Sequence, residues 1–168
     1  MRFRGASVTR KAGAIEIRRV DGGAGLADAR VLFREFASAL GRDLSFQDFA
    51  RELSDLPGEY GPPLGALLLA RFDGRLAGCV ALRPLGGEGC EMRRLFVRHQ
   101  FRGKGVGKRL ALAVIEAARE AGHPAIRLGL ATWMDEAIAI YRALGFRPID
   151  PYRVDGVNGF VFMELPLH

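Results

Sequence analysis

The chain has 168 residues, 49% of them hydrophobic and 26% charged, a composition that fits one domain with a substantial core. Of its formal net charge of +6, four positives (Arg2, Arg4, Arg10 and Lys11) sit in residues 1–13, which carry no acid; the remaining +2 is too balanced for a nucleic-acid-binding surface. No apolar run approaches the roughly 18 residues that span a membrane, and the start lacks the apolar core of a secretory signal, so a cytoplasmic protein is expected.

Residues 1–13 read as a basic, disordered extension, and 14–168 as a single domain. Ala14 to Val20 has a strand pattern, and Leu26 to Leu40 a helical one, with Leu26, Ala29, Phe33, Ala37 and Leu40 on one face. Ser45 is expected to open a second helix running to Leu56, with Asp48 three residues on as an acidic capping box. The segment Pro57 to Gly65 ends it. Leu67 to Phe72 and Leu76 to Leu82 are strands around Asp73-Gly74, a hairpin signal, and Cys90 to Val97 is the next strand. A helix from about Gly105 puts Val106, Leu110, Val114, Ala117 and Ala121 on one face and ends at Gly122. Ala125 to Ala131 follows as a strand. Thr132, with Asp135 three residues later, is expected to cap a last helix that stops at Gly145, before strands at Phe146 to Ile149 and Phe160 to Leu165.

The most informative segment is Gln100 to Gly107, QFRGKGVG, between a strand and an amphipathic helix. Glycines at every second position let backbone N–H groups turn toward a ligand, and the helix adds the positive end of its dipole. Arg102, Lys104, Lys108 and Arg109 crowd that helix start, where exposed cations are disfavoured by roughly 0.3–1 kcal/mol each, so a bound anion would offset the penalty. A nucleotide-hydrolysing P-loop is excluded, because its register places Arg109 where Ser or Thr must hold magnesium. A dinucleotide fingerprint fails as well, with Lys108 in its third glycine slot. His99, His123 and His168 form no ligand spacing with Cys79 or Cys90, so no metal is expected, and the two thiols are expected to be reduced.

Read as Q-x-x-G-x-G, the loop resembles the signature of the GNAT superfamily of acetyl-coenzyme A (acetyl-CoA) dependent N-acetyltransferases. The runs CEMRRLFVRHQFRGKGVGKRLALAVIEAAREAG and AIAIYRALGF look like those of a recurrent bacterial group of that superfamily. The resemblance implies an α/β GNAT fold, in the order β-α-α-β-β-β-α-β-α-β-β, around a twisted, mostly antiparallel sheet. It further implies acetyl-CoA contacts from Phe96, Val97, Gln100, Arg102, Gly103, Lys104, Gly105, Val106, Gly107, Lys108, Met134 and Tyr141. Met134 stands where many members carry a coenzyme A-binding asparagine.

For the chemistry, the family tyrosine corresponds to Tyr141, a candidate proton donor to the departing sulfur, and the Val97 N–H to the oxyanion donor. Glu91 lies where histone-acetylating members carry their base, and burial would raise its pKa toward a useful range; a strand carboxylate paired with Arg93 or a neighbouring arginine is the competing reading. Acceptor contacts are expected from Phe46, Glu59, Tyr60, Arg93 and the turn Pro151 to Asn158, with Trp133 a further candidate wall. The expected reaction is direct acetyl transfer to a primary amine of a small molecule such as an amino acid, polyamine or antibiotic. The expected partners are acetyl-CoA and that amine, without nucleic acid or membrane. A protein acceptor, a non-catalytic acyl-CoA binding module and a homodimer stay open.

Overall fold

The computed structural model describes residues 13–20, 22–41, 48–153 and 159–168. Strands β1 (Ile15–Arg19), β2 (Ala66–Phe72), β3 (Arg75–Pro84), β4 (Cys90–Val97), β5 (Ala125–Ala131), β6 (Arg147–Ile149) and β7 (Phe160–Pro166) form one sheet in the order β1-β2-β3-β4-β5-β7-β6. Helices α1 (Gly23–Leu40) and α2 (Phe49–Asp55) precede β2, α3 (Val106–Glu120) joins β4 to β5, and α4 (Asp135–Ala143) joins β5 to β6. This is the expected element order. All strand pairs are antiparallel except β4 with β5.

Alternation along the strands divides the core between the two faces. Leu67 and Leu69 of β2 pack with Cys79 and Ala81 of β3 under Ala29, Leu32 and Phe33 of α1. Leu68, Val80 and Leu82 point the other way, onto Leu110 and Val114 of α3, in a core that also takes in Tyr141 of α4. The sheet is thus buried on both sides, which is why β2 and β3 read as apolar runs rather than alternating ones. The β2–β3 turn behaves as its sequence indicates: Asp73 and Gly74 both adopt positive φ, 49° and 82°. The Asp73 carboxylate accepts hydrogen bonds from the Gly13 and Ala14 N–H groups at 2.9 Å, tying the start of β1 to the turn.

Two helix starts differ from expectation. Within the described residues α2 begins at Phe49, with Asp48 in the N-cap position at φ 56° and making no side-chain cap; Ser45 lies outside the described residues. α4 begins at Asp135 rather than at a Thr132 cap, because residues 132–134 are used to cross from β5, and the Thr132 N–H is taken by the Gly159 carbonyl at 2.9 Å. Asp135 and Glu136 therefore act in the first turn, where carboxylates favour the helix dipole. Residues 1–12 also lie outside the described residues. Among the described residues no helix is long and apolar enough to cross a membrane. Cys79 and Cys90 are free and buried, with burial pushing the Cys90 thiol up to about 12.

Candidate functional site

The parallel pair β4–β5 is joined only at Cys90↔Ile126 and Glu91↔Arg127, after which the strands part. β5 stays with β7 through all seven of its residues, while β4 is turned away by a bulge opposite β3. There Arg94 takes φ 58°, and two residues, Arg94 and Leu95, oppose the single Val80. The extra residue resets the alternation. Arg94 would otherwise follow Cys90 and Met92 onto the α3/α4 face; instead it joins Glu91 and Arg93 on the α1/α2 face, against the rings of Phe36 and Phe49. Leu95 and Val97 pack with the α3 core and Phe96 with the α1 core.

The gap between β4 and β5 holds a cavity of about 170 Å³ that reaches both faces of the sheet. Phe36 and Arg93 line it from one side, and Met134, Ala137 and Tyr141 from the other. Tyr141 is buried, its hydroxyl donates to the Met92 sulfur at 3.6 Å, and its ring meets Phe146 edge-on at 5.4 Å. Burial raises its pKa, so the phenol is protonated at neutral pH. At the far end of β4 the Arg98 N–H donates to the Ala77 carbonyl, and Gly78 stands opposite Val97. By the alternation of an antiparallel ladder, the Val97 N–H and C=O then face the β5 side, and the Val97 carbonyl accepts from Arg102 Nε at 3.1 Å.

Beyond Val97, Gln100 lies in a 3-10 turn (His99–Phe101) and the chain then enters α3. Gly103 and Gly105 take φ 75° and 86°, and no heavy atom lies within 4 Å of where their Cβ atoms would be. Gly105 is the α3 N-cap in the left-handed region, and the first turn of the helix carries no acid. Arg102, Lys104, Lys108 and Arg109 are exposed around it, whereas Val106 is buried beneath. The loop thus presents helix N-terminal amides and cations to open space, a fit for a pyrophosphate.

On the α1/α2 face lies an ionic cluster. Glu91 is 0% exposed and accepts from Tyr152 Oη at 2.5 Å and Arg83 Nε at 3.1 Å, with Arg153 Nε at 2.9 Å and Arg93 Nε at 3.5 Å. The expectation that burial would raise its pKa is corrected here. Burial does push it up, but Arg153, Arg83, the Tyr152 hydroxyl and Arg93 together outweigh that and hold the carboxyl below its usual range. Glu52 of α2 forms the second anionic centre, accepting from Tyr60 Oη at 2.5 Å and Arg94 Nε at 2.9 Å. A second cavity of about 300 Å³ lies beside it, lined by Glu59, Tyr60, Arg83 and Arg93 among others.

Met134, Tyr141 and Arg93 therefore meet at the cleft, with Glu91 next to its wall and the glycine loop at its end. Glu59 and Tyr60 line the adjoining cavity instead: Glu59 is exposed, and Tyr60 is a core residue bonded to Glu52. Phe46 lies outside the described residues, as does part of the expected acceptor turn, residues 154–158. Trp133 lines the cleft cavity and is exposed. Of the expected acceptor turn, Arg153 lines the cleft and Tyr152 bonds to Glu91; sequence reasoning missed Glu52 and Arg83, and the contact of Tyr152 and Arg153 with Glu91. Glu52 carried a signal, an acid within the apolar stripe Phe49, Leu53 and Leu56, whereas Tyr152 and Arg153 sit in a connection without periodicity.

Comparison with known proteins agrees with this geometry. Residues 29–146 match the Acetyltransferase (GNAT) family. An uncharacterized N-acetyltransferase of Schizosaccharomyces pombe is 35% identical over 144 residues, spanning 84% of this chain and 88% of that protein. Among solved structures, a GNAT-family acetyltransferase of Staphylococcus aureus superposes with a TM-score of 0.74 at 21% identity, covering 92% of this chain and all of the other. A Salmonella typhimurium acetyltransferase with its cofactor acetyl-CoA gives 0.66 at 22% identity, covering 92% of this chain and 95% of the other.

Proposed function

Because the chain belongs to the GNAT family and is an acetyl-CoA-dependent acetyltransferase, we propose that it acetylates the primary amine of a small molecule in the β4–β5 cleft, by direct attack within a ternary complex. The observation that carries this reading is the cavity itself, which opens to both faces of the sheet and so lets two substrates meet from opposite sides. The glycine loop and its cations would hold the pyrophosphate, and Met134 and Ala137 would flank the arm that enters from the α4 face.

Acetyl-CoA supplies an activated thioester carbonyl: the amine nitrogen bonds to that carbon, loses a proton, and the carbon–sulfur bond breaks. Within this reading the Val97 N–H, on the cleft edge of β4, stabilises the carbonyl oxygen as charge develops on it. Tyr141, kept neutral by burial, gives its phenolic proton to the leaving sulfur. Glu91 is better suited to fixing Arg83, Arg93 and Arg153 than to taking a proton, since its carboxylate already faces four donors and is held anionic. The amine proton then leaves through water in the open cleft, and proximity supplies much of the acceleration.

Initial rates of thiol release, varied over both substrates, test the ternary complex. Intersecting double-reciprocal lines are expected. Parallel lines would indicate an acetylated enzyme, for which the buried, neutral thiols of Cys79 and Cys90 offer a poor nucleophile.

A further inference from the structure

On its α1/α2 side the cleft is walled by rings that other rings hold in place. In the β5–β7 ladder Gly129 pairs with Phe162 and Ala131 with Phe160, and paired residues share a side of the sheet. Gly129 shows which side: a Cβ there would point at Arg153 Nη2, 2.8 Å away, and Arg153 is a partner of Glu91. Phe162 leans over β5, with its Cε1 3.1 Å from where that Cβ would be. Phe160 stacks on Phe162 at 6.4 Å and 30°, and Phe162 meets Tyr152 edge-on at 5.2 Å. Past Gly129, β5 adds to this face only the methyl group of Ala131, beside Phe160.

From α1 come Phe36, held edge-on to Phe96 at 6.4 Å, and Leu40 one turn later. Phe36, Leu40, Ala131 and Phe160 all line the cleft cavity, and Phe36, Leu40 and Phe160 are only half-buried. Apolar surface left open on a concave wall gains when another apolar body covers it, because both surfaces leave water together. Phe36 and Phe160 are already held by their neighbours, so covering them costs little further ordering.

We propose that the acceptor is a primary amine whose body is an aromatic ring, seated over Ala131 between Phe36 and Phe160, and that Ala131 sets the size of body the cleft admits. This rests on the small-amine reading of the same site and narrows it. A ring suits these walls better than a flexible chain, since it meets Phe36 and Phe160 edge-on or offset and has few rotatable bonds to freeze. A polyamine or an amino sugar would have to desolvate its polar groups against the same rings.

The test is thiol release from acetyl-CoA with phenethylamine, ethylamine, spermidine and a basic peptide as acceptors. Phenethylamine is expected to exceed ethylamine in kcat/KM by about ten- to a hundredfold, the span set by burying one ring. Ala131→Leu, which fills the seat, and Phe160→Ala, which removes a wall, should each lower that ratio by about tenfold, mainly through the KM for phenethylamine, with calorimetric binding of acetyl-CoA retained. The acceptor comparison on the unaltered protein stands even if the variants fold poorly. Equal use of phenethylamine and ethylamine, preference for spermidine, or a ratio that neither variant moves overturns the aromatic proposal and leaves the small-amine reading intact. Release with the basic peptide alone, or with none of these amines, overturns both.

Discussion

Burial pushes the proton affinity of Glu91 and Tyr141 upward, yet the two groups end in opposite charge states. Tyr141 packs against Met92 and Phe146 and stays a neutral phenol, the state a proton donor needs. Glu91 has three arginines and a tyrosine hydroxyl around it and stays an anion. Tyr141→Phe is therefore expected to lower kcat by about a hundredfold while acetyl-CoA still binds, as rate and calorimetry together would show. Glu91→Gln should act on the fold first. It leaves Arg83, Arg93 and Arg153 around a neutral amide, and losing one partner of a buried ion pair costs on the order of 3–5 kcal/mol, a fall in Tm that calorimetry would detect. An unchanged Tm with a lost limb in the pH–rate profile would instead make Glu91 a base. The position of Glu91 and its pairing with Arg93 could be read along the strand; its other neighbours could not, because Arg83 comes from β3 and Tyr152 and Arg153 from a distant connection.

Two local irregularities make the site, and they differed in how visible they were. The glycine loop announced itself, since alternate glycines among cations before an amphipathic helix have few other uses. Gly105→Ala is expected to cost about 1–2 kcal/mol of stability if the φ of 86° is kept, because the Cβ meets open space and the strain is purely conformational. If the turn relaxes instead, the amides move and acetyl-CoA affinity falls; thermal melts and titration on the same sample separate the two. The β4 bulge was harder to see. Its trace in the sequence is that Met92 and Leu95, three apart, share one face, which a regular strand forbids. That one extra residue places Arg93 and Arg94 side by side and directs β4 away from β5. The two helix starts were misread for a related reason: capping spacings recur by chance, and Thr132 was already committed to the Gly159 carbonyl.

Across the whole molecule, the sheet order and the two-sided core follow from alternation and turn chemistry, which are local and legible, whereas the cleft depends on where two strands stop pairing. The buried anion also ties stability to pH. The folded-state pKa of Glu91 lies below its usual 4.5, so its contribution is fully present above that value and is lost as pH falls from about 4.5 through the folded value. Melts from pH 7 to 3 should show Tm declining below about 4.5, with less decline in Glu91→Gln; an equal decline in both would remove Glu91 from the acid transition. The most direct test of the central claim is calorimetric titration with acetyl-CoA followed by a thiol-release assay with and without amines. Binding at one site per chain and release that requires an amine are the predicted result. Failure to bind, or thiol release at the same rate without any amine, would contradict it.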